Sequence, residues 1–172
     1  MPDPLLLKKI ISQITAFKRP KLLLMVGLPL SGKDSLIKEL NLPDFEILSR
    51  DAILCLNNPE KDYRDAYSAH DSKEIDKLFF REMDRIQRSQ KNVIINATHL
   101  KIKRRRKVML RFPDYAKICL QLPLISFEEF CSRNLQREKE SGKIVSEKLY
   151  HEMMSLYEPP TETEGWDLII NL

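Results

Sequence analysis

The run Gly27–Ser35, GLPLSGKDS, constrains this chain more than any other segment. It follows the apolar run Leu22–Val26 and precedes Lys33–Leu40, which has the pattern of a helix. A strand, a glycine-bounded loop ending in Gly-Lys, and a helix form the phosphate-binding P-loop. The glycines let backbone N–H groups turn toward phosphate oxygens, and the positive end of the helix dipole points at the same anion. The segment therefore predicts a site for a nucleoside triphosphate.

Two side chains in this segment carry charges of opposite sign. Lys33 is a mobile cation that can follow the β- and γ-phosphates, and Asp34 stands where a P-loop usually has the Ser or Thr that ligates magnesium. A carboxylate is also a hard-oxygen ligand, so we expect Asp34 and Ser35 to hold Mg²⁺. Without the metal, Asp34 would repel the phosphates. The residues predicted to bind the nucleotide here are Gly27, Leu28, Pro29, Leu30, Ser31, Gly32, Lys33, Asp34 and Ser35.

Length and composition narrow the class of protein. The 172 residues suffice for one domain, and 42% hydrophobic with 31% charged residues is typical of a globular chain. A net charge of +4 permits an anionic substrate without requiring one. No apolar run approaches the length of a membrane span, and three scattered cysteines predict free thiols in a reducing compartment. We therefore expect a cytoplasmic protein with no membrane partner, of undetermined oligomeric state.

Strand-like and helix-like segments alternate along the chain, which predicts an α/β fold with a short, mainly parallel sheet flanked by helices on both faces. Residues 1–20 are assigned to a leading helix that packs on the domain, and residues 21–172 to the domain itself. The polar stretch Asn57–Asp71 predicts a long surface loop. Strands are expected at Leu22–Val26, Phe45–Ser49, Val93–Asn96, Tyr115–Leu122 and Trp166–Ile170, and helices around Lys33–Leu40, Ser72–Arg88, Lys101–Arg111, Phe127–Glu138 and Ser146–Leu156.

Polar residues follow two of these strands at their carboxyl ends, where parallel sheets carry function. Asp51 follows Phe45–Ser49 directly and is placed to accept a proton from a substrate hydroxyl. It could equally cap a helix that begins at Ala52, and both roles are compatible. Asn96 and Thr98 end the third strand, where they could orient substrate or water, or simply form a turn.

A predicted helix near the carboxyl end carries two arginines on one face. Arg133 and Arg137 are four residues apart, and the polar stretch Glu138–Lys143 that follows has the composition of a mobile lid. A lid arginine could neutralise charge that develops on a transferring phosphoryl group. The alternative is a solvated helix face with local Glu–Arg pairs.

A dense basic run, Lys101–Lys107, lies on another predicted helix. Its cations could follow the phosphate backbone of a polynucleotide, or they could be a solvated face. No aromatic residue interleaves with them, so base stacking is not indicated at this place.

These motifs together resemble the family of P-loop kinases that includes the 5′-hydroxyl polynucleotide kinases. The resemblance runs from about Lys21 onward. It is carried by GLPLSGKDS, SRD at Ser49–Asp51, NATHL at Asn96–Leu100, RNLQR at Arg133–Arg137 and YEPPTETEGW at Tyr157–Trp166. It implies the P-loop kinase fold with a lid. It also implies catalytic roles for Lys33 on the phosphates, Asp51 as general base and Arg137 in the transition state.

The resemblance implies an enzyme that uses ATP and Mg²⁺ to phosphorylate a hydroxyl, best fitting the 5′-OH of RNA or DNA. Arg133 is then expected to contact the nucleotide, and Arg50, Asn96, Thr98 and Arg104 to contact the substrate. A small-molecule kinase, acting on a nucleoside or metabolite, is the alternative enzyme. A nucleotide-binding module with weak catalysis is the alternative from a different class, because Asp34 and Asn96 are unusual at their positions.

Overall fold

The apolar strand segments lie side by side in one sheet. The computed structural model of the chain describes residues 3–60 and 71–172. Within them, the sheet order is β2-β3-β1-β4-β5, and every neighbouring pair is parallel. The α/β prediction is confirmed, and the sheet is wholly rather than mainly parallel. The strands are β1 (Lys21–Val26), β2 (Phe45–Ser49), β3 (Asn92–Asn96), β4 (Ala116–Gln121) and β5 (Leu168–Asn171).

The helices connect these strands and differ from the sequence prediction in two places. The helix α3, which the sequence offered only as a possible helix from Ala52, begins at Arg50. The helix α6 continues to Ser141, so most of the polar stretch after Glu138 is helical. Most of the predicted loop Asn57–Asp71 lies outside the described residues. The helices are α1 (Pro4–Thr15), α2 (Lys33–Leu40), α3 (Arg50–Leu56), α4 (Ser72–Ser89), α5 (Ile102–Met109), α6 (Phe127–Ser141) and α7 (Glu147–Ser155), and a 3₁₀ turn spans Glu162–Glu164.

The central strand β1 is buried on both faces. Leu22 and Leu24 pack into one hydrophobic cluster with residues of α4 and α5. Leu23 and Met25 face the other way, into a cluster that contains residues of α1 and α2. A strand covered by helices on both sides has no polar face, which is why β1 appears in the sequence as an unbroken apolar run.

The leading helix α1 is part of this packing. Asp3 caps it, accepting a hydrogen bond from the amide of Leu5 at 3.3 Å, and Pro4 occupies the first helical position. Ile10 and Ile14 are fully buried in the cluster that also holds Leu23 and Met25. The helix therefore lies against the same face of the sheet as α2.

One cation of the basic run is buried rather than solvated. Arg105 donates two hydrogen bonds of 2.7 Å to the carboxylate of Glu164, and both side chains are fully buried. Its Nη1 also donates to the carbonyl oxygens of His99, Leu100 and Glu158 at 2.9–3.1 Å. Burial opposes ionisation of Glu164, but the bonds from Arg105 hold the pKa of this carboxyl below its usual value. Through Arg105, hydrogen bonds thus connect the YEPPTETEGW segment to the loop after β3.

All three cysteines are free thiols, as predicted: Cys55 is exposed, Cys119 is buried and Cys131 is partly buried. Burial raises the pKa of the Cys119 thiol to about 12, so it is an inert core residue. Among the described residues, no helix has both the length and the apolar character needed to cross a membrane.

Candidate active site

The P-loop leaves the carboxyl end of β1 with a backbone that favours glycine at two positions. The amide of Gly27 donates to the carbonyl oxygen of Thr98 at 3.1 Å, which joins the loop to the end of β3. A Cβ at Gly27 would lie 2.7 Å from the Ser31 hydroxyl, so no larger residue fits without a shift. Gly32 has a φ of 96°, a left-handed conformation that precedes the first turn of α2. Leu30 also has a positive φ, of 64°, which is strained for a residue with a side chain.

Lys33 lies over the loop that precedes it. Its Nζ donates to the carbonyl oxygens of Gly27 at 3.1 Å and Leu28 at 2.5 Å. Burial lowers the pKa of Lys33 to about 8. The carboxylates of Asp34 and Asp51 oppose this shift, whereas the positive charge of Arg137 adds to it. These charges come from α2, α6 and α3, so the structure brings groups from three elements within electrostatic range of one ammonium.

Two clefts open along the carboxyl edge of the sheet, one on each side of the P-loop. The first, of about 670 Å³, extends toward β4 and β5, and we call it the P-loop cleft. The second, of about 560 Å³, extends toward β3 and β2, and we call it the strand-end cleft. The residues that line both clefts are Leu30, Lys33, Asp34 and Arg137.

The strand-end cleft contains Asp51 in the first turn of α3, with its side chain exposed. The cap of this helix is Ser49, whose hydroxyl accepts from the amide of Ala52 at 3.4 Å. The helix starts at Arg50 and not at Ala52, so capping is the work of Ser49. The carboxylate of Asp51 is left facing the cleft with no such backbone role.

Two predicted substrate residues of this cleft already have protein partners. The Nε of Arg50 donates to Asp76 at 3.0 Å, which joins the start of α3 to α4. The Nδ2 of Asn96 donates to Oδ1 of Asp34 at 2.6 Å, which joins the end of β3 to α2. Thr98 also lines the cleft. Arg104, by contrast, is exposed on α5 and lines neither cleft.

The two arginines of α6 lie across the P-loop from β1. Arg133 donates from Nη1 to the carbonyl oxygen of Leu30 at 2.7 Å and from Nη2 to Glu129 at 2.5 Å. Arg133 lines the P-loop cleft, whereas Arg137 lines both clefts. The i, i+4 spacing in the sequence thus places both guanidinium groups toward the P-loop.

Sequence reasoning missed two structural side chains next to these clefts. His99 is buried, with Nδ1 3.0 Å from the carbonyl oxygen of Met25, so Nδ1 carries the proton. Burial lowers the pKa of His99 to about 4, and the ring is therefore neutral near pH 7. Asn134, on α6, bonds twice to the backbone of Val145. Neither contact is visible in a local pattern, because each joins residues that are distant in sequence.

A parallel sheet with a P-loop at its central strand, and with helix-borne arginines facing that loop, defines the class of P-loop kinase-fold proteins. Residues 22–160 match the profile of a family described as an AAA domain. This match covers most of the chain, so the chain belongs to that family. Its P-loop is a nucleotide-binding motif. No curated protein matches the chain at the level of sequence.

Solved structures share this fold. A chain of the Pnkp1/Rnl/Hen1 RNA repair complex superposes with a TM-score of 0.67 at 18% identity, covering 81% of this chain and 44% of that one. The present chain thus spans less than half of that relative. Kti12 from Chaetomium thermophilum, in complex with ADP-AlF3, gives a TM-score of 0.59 at 16% identity over 88% of both chains. A gluconokinase from Sinorhizobium meliloti 1021 gives a TM-score of 0.56 at 14% identity, covering 91% of this chain and 83% of that one.

Proposed function

We propose that this protein is an ATP-dependent phosphotransferase that moves the γ-phosphoryl group to a hydroxyl, with the 5′-OH end of RNA or DNA as its acceptor. The observation that carries the proposal is the pair of clefts that meet at Lys33, Asp34 and Arg137. A phosphoryl donor in one cleft and a hydroxyl acceptor in the other would meet at these charges. In-line transfer needs that arrangement.

The side chains take distinct roles in this reaction. Lys33 leaves the carbonyls of Gly27 and Leu28 to contact the β- and γ-phosphates. Arg133 supports the P-loop through Leu30, and Arg137 neutralises charge on the transferring group. Asp51 orients the acceptor hydroxyl and takes its proton as the new O–P bond forms and the bond to the ADP leaving group breaks.

The residues at the start of α2 fit a magnesium ion. Asp34 and Ser35 are exposed in the P-loop cleft, and carboxylate and hydroxyl oxygens are ligands that Mg²⁺ prefers. Within residues 3–60 and 71–172, no cluster of three His, Cys, Asp or Glu side chains could hold a metal alone. Nucleotide phosphates would thus complete the ligand set, and the ion would offset the charge of Asp34 beside them.

Two observations support a polynucleotide acceptor. Lys103, Arg104 and Arg106 are exposed on α5, which begins shortly after the β3 end that lines the strand-end cleft, and none forms an ion pair within the described residues. The strand-end cleft also has an apolar wall that includes Val145, Leu149 and Met153. A nucleoside end offers both an apolar base and a hydroxyl, whereas a sugar acid is polar on all sides. A small-molecule kinase is the second candidate, because the gluconokinase shares the fold.

The deciding experiment is transfer of labelled γ-phosphate from ATP to 5′-OH RNA, 5′-OH DNA, free nucleosides and gluconate. The proposal expects transfer to an oligonucleotide with the highest kcat/KM. Neutralising Lys103, Arg104 and Arg106 together should then reduce the slope of log affinity against log salt by roughly 0.7 for each phosphate that the protein no longer neutralises. Transfer to gluconate alone, or an unchanged salt slope, would favour the small-molecule kinase.

A further inference from the structure

The P-loop cleft is longer than its phosphate-binding part. Leu122 follows β4 and Leu172 follows β5, where its amide donates to the carbonyl oxygen of Gln121 at 3.0 Å. In the sheet order, β5 lies two strands from β1, which places Leu172 roughly 10 Å along the sheet edge from the base of the P-loop. The cleft therefore combines a charged part at the P-loop with an apolar part beyond it.

Leu6 of α1 supplies another wall of this apolar part. It lines the same cleft as Leu36 and Leu122 and retains 36% of its surface exposed. The burial of Ile10 and Ile14 against the sheet fixes the helix that carries Leu6. Both Leu6 and Leu172 lie outside residues 22–160, the part of the chain that matches the family. This end of the cleft is therefore built partly from segments that flank the family domain.

The chemistry of this end suits a heterocyclic base. Glu39, one turn after Ser35 on α2, lines the cleft, and its buried Oε2 has no hydrogen-bond partner among the described residues. A buried acceptor without a donor is unfavourable. A nucleobase has apolar faces for the leucines and N–H donors for such an oxygen, whereas a purely apolar ligand has none.

We propose that Leu6, Leu36, Leu122 and Leu172 form the subsite for the base of the donor triphosphate, with α1 as its outer wall. The proposal rests on the proposed function only in that a triphosphate occupies the P-loop. A triphosphate seated on Lys33 and the start of α2 would extend its ribose and base along the cleft toward β4 and β5. α1 is then a part of the nucleotide site, in addition to packing on the sheet.

The test compares ATP with inorganic tripolyphosphate, which has the same chain of three phosphates and no base. Dissociation constants are measured by calorimetry with Mg²⁺ for the full chain and for the double variant Leu6→Ala/Leu172→Ala. We expect the dissociation constant for ATP to rise at least about five-fold in the variant. The reason is that the bound base would bury at least about 40 Å² less apolar surface than in the wild type. The affinity for tripolyphosphate should stay within about two-fold, since the groups that bind phosphate are intact.

The matched control is Leu5→Ala, since Leu5 neighbours Leu6 on α1, is 73% exposed and does not line the cleft. It should leave both affinities unchanged. Equal losses for ATP and tripolyphosphate in the double variant, or no loss for ATP, would overturn the base subsite. A wild-type chain that binds tripolyphosphate as tightly as ATP would also overturn it, while leaving the P-loop function intact. A wild-type chain that binds neither would overturn both proposals.

Discussion

Asn134 makes two hydrogen bonds to the backbone of Val145, donating to its carbonyl oxygen at 2.8 Å and accepting from its amide at 3.0 Å. The pair joins α6, which carries Arg133 and Arg137, to the segment before α7. Because Val145 lines the strand-end cleft, this contact sets the position of the apolar wall of that cleft relative to the arginines. We call this wall the acceptor wall, since we propose that the acceptor binds there.

Asn134→Ala should therefore raise the KM for the acceptor by about ten-fold, since a displaced wall no longer packs against the acceptor, while the KM for ATP changes little. Asn134→Asp should not rescue it, because a carboxylate would face the Val145 carbonyl oxygen. Steady-state kinetics with each substrate varied give the comparison. The control is Leu135→Ala, at a neighbouring exposed position of α6. Equal rises in both KM values would contradict a role confined to the acceptor wall.

Lys33 should give triphosphate binding a distinct pH dependence. Its pKa of about 8 in the free protein means that the ammonium loses its proton as pH rises through that value. We expect affinity for tripolyphosphate to fall by up to about ten-fold for each pH unit above about 8, because only the charged form attracts the anion. Calorimetry between about pH 7 and pH 9 measures it. Lys33→Ala should bind weakly at every pH, and a wild-type affinity that does not change with pH would contradict the prediction.

The lowered pKa of Lys33 should weaken anion binding at high pH, but it should make the ligand-free protein more stable there. The folded pKa of Lys33 is depressed from 10.5 to about 8, so in this window the unfolded chain binds the proton that the folded chain has released. The Lys33 contribution to the free energy of unfolding therefore rises with pH between about 8 and 10.5. Urea denaturation across this range should show a positive slope that is smaller in Lys33→Met. Identical slopes in the two proteins would exclude this contribution.

Asp51→Asn separates the role of a base from that of a cap. It should lower kcat by about 10²- to 10⁴-fold with little change in ATP binding or thermal stability, because Ser49 caps α3. Ser49→Ala should show the converse pattern, a stability loss of about 1 kcal/mol with a smaller loss of kcat. Rapid-quench kinetics and thermal denaturation of both variants make the comparison. A turnover near wild type in Asp51→Asn would place the base elsewhere.

Arg137→Ala should lower kcat by about 10²-fold or more with a smaller effect on the KM for ATP, because its partner charge develops during transfer. Arg133→Ala should mainly raise the KM for ATP, since Arg133 bonds to the carbonyl oxygen of Leu30 in the ground state. Kinetics at saturating acceptor distinguish the two effects. If both variants lost activity to the same extent, and if this loss accompanied a lower melting temperature, the arginines would have a structural role only.

The sequence predicted the central part of the site because its signals are local. A continuous apolar strand, a loop with Gly27 and Gly32, and a helix starting at Lys33 lie within 20 residues of one another. The extent of α6 was also readable in principle. Gly142 has a φ of 66° and ends the helix as a left-handed cap, a position where glycine is favoured.

The rest depended on contacts between distant residues. The helix considered from Ala52 begins two residues earlier, because Ser49 is both the last residue of β2 and the cap of α3, so no loop separates the two elements. The burial of Arg105 within a basic run depends on Glu164, which lies 59 residues away. Asn134 lies in the RNLQR motif, but the motif does not reveal its bonds to Val145, and Leu6 lies in no motif, because tertiary packing gives each residue its position.

The Arg105–Glu164 pair also bears on how the protein is made. During synthesis Arg105 leaves the ribosome well before two of its hydrogen-bond partners, the carboxylate of Glu164 and the carbonyl oxygen of Glu158. Burying a guanidinium without its partner is strongly unfavourable, so the nascent chain cannot close around α5 until residue 164 has emerged. Completion of the domain therefore waits for residue 164, and intermediates that stall earlier would expose the apolar residues that α5 covers and would be natural clients of chaperones.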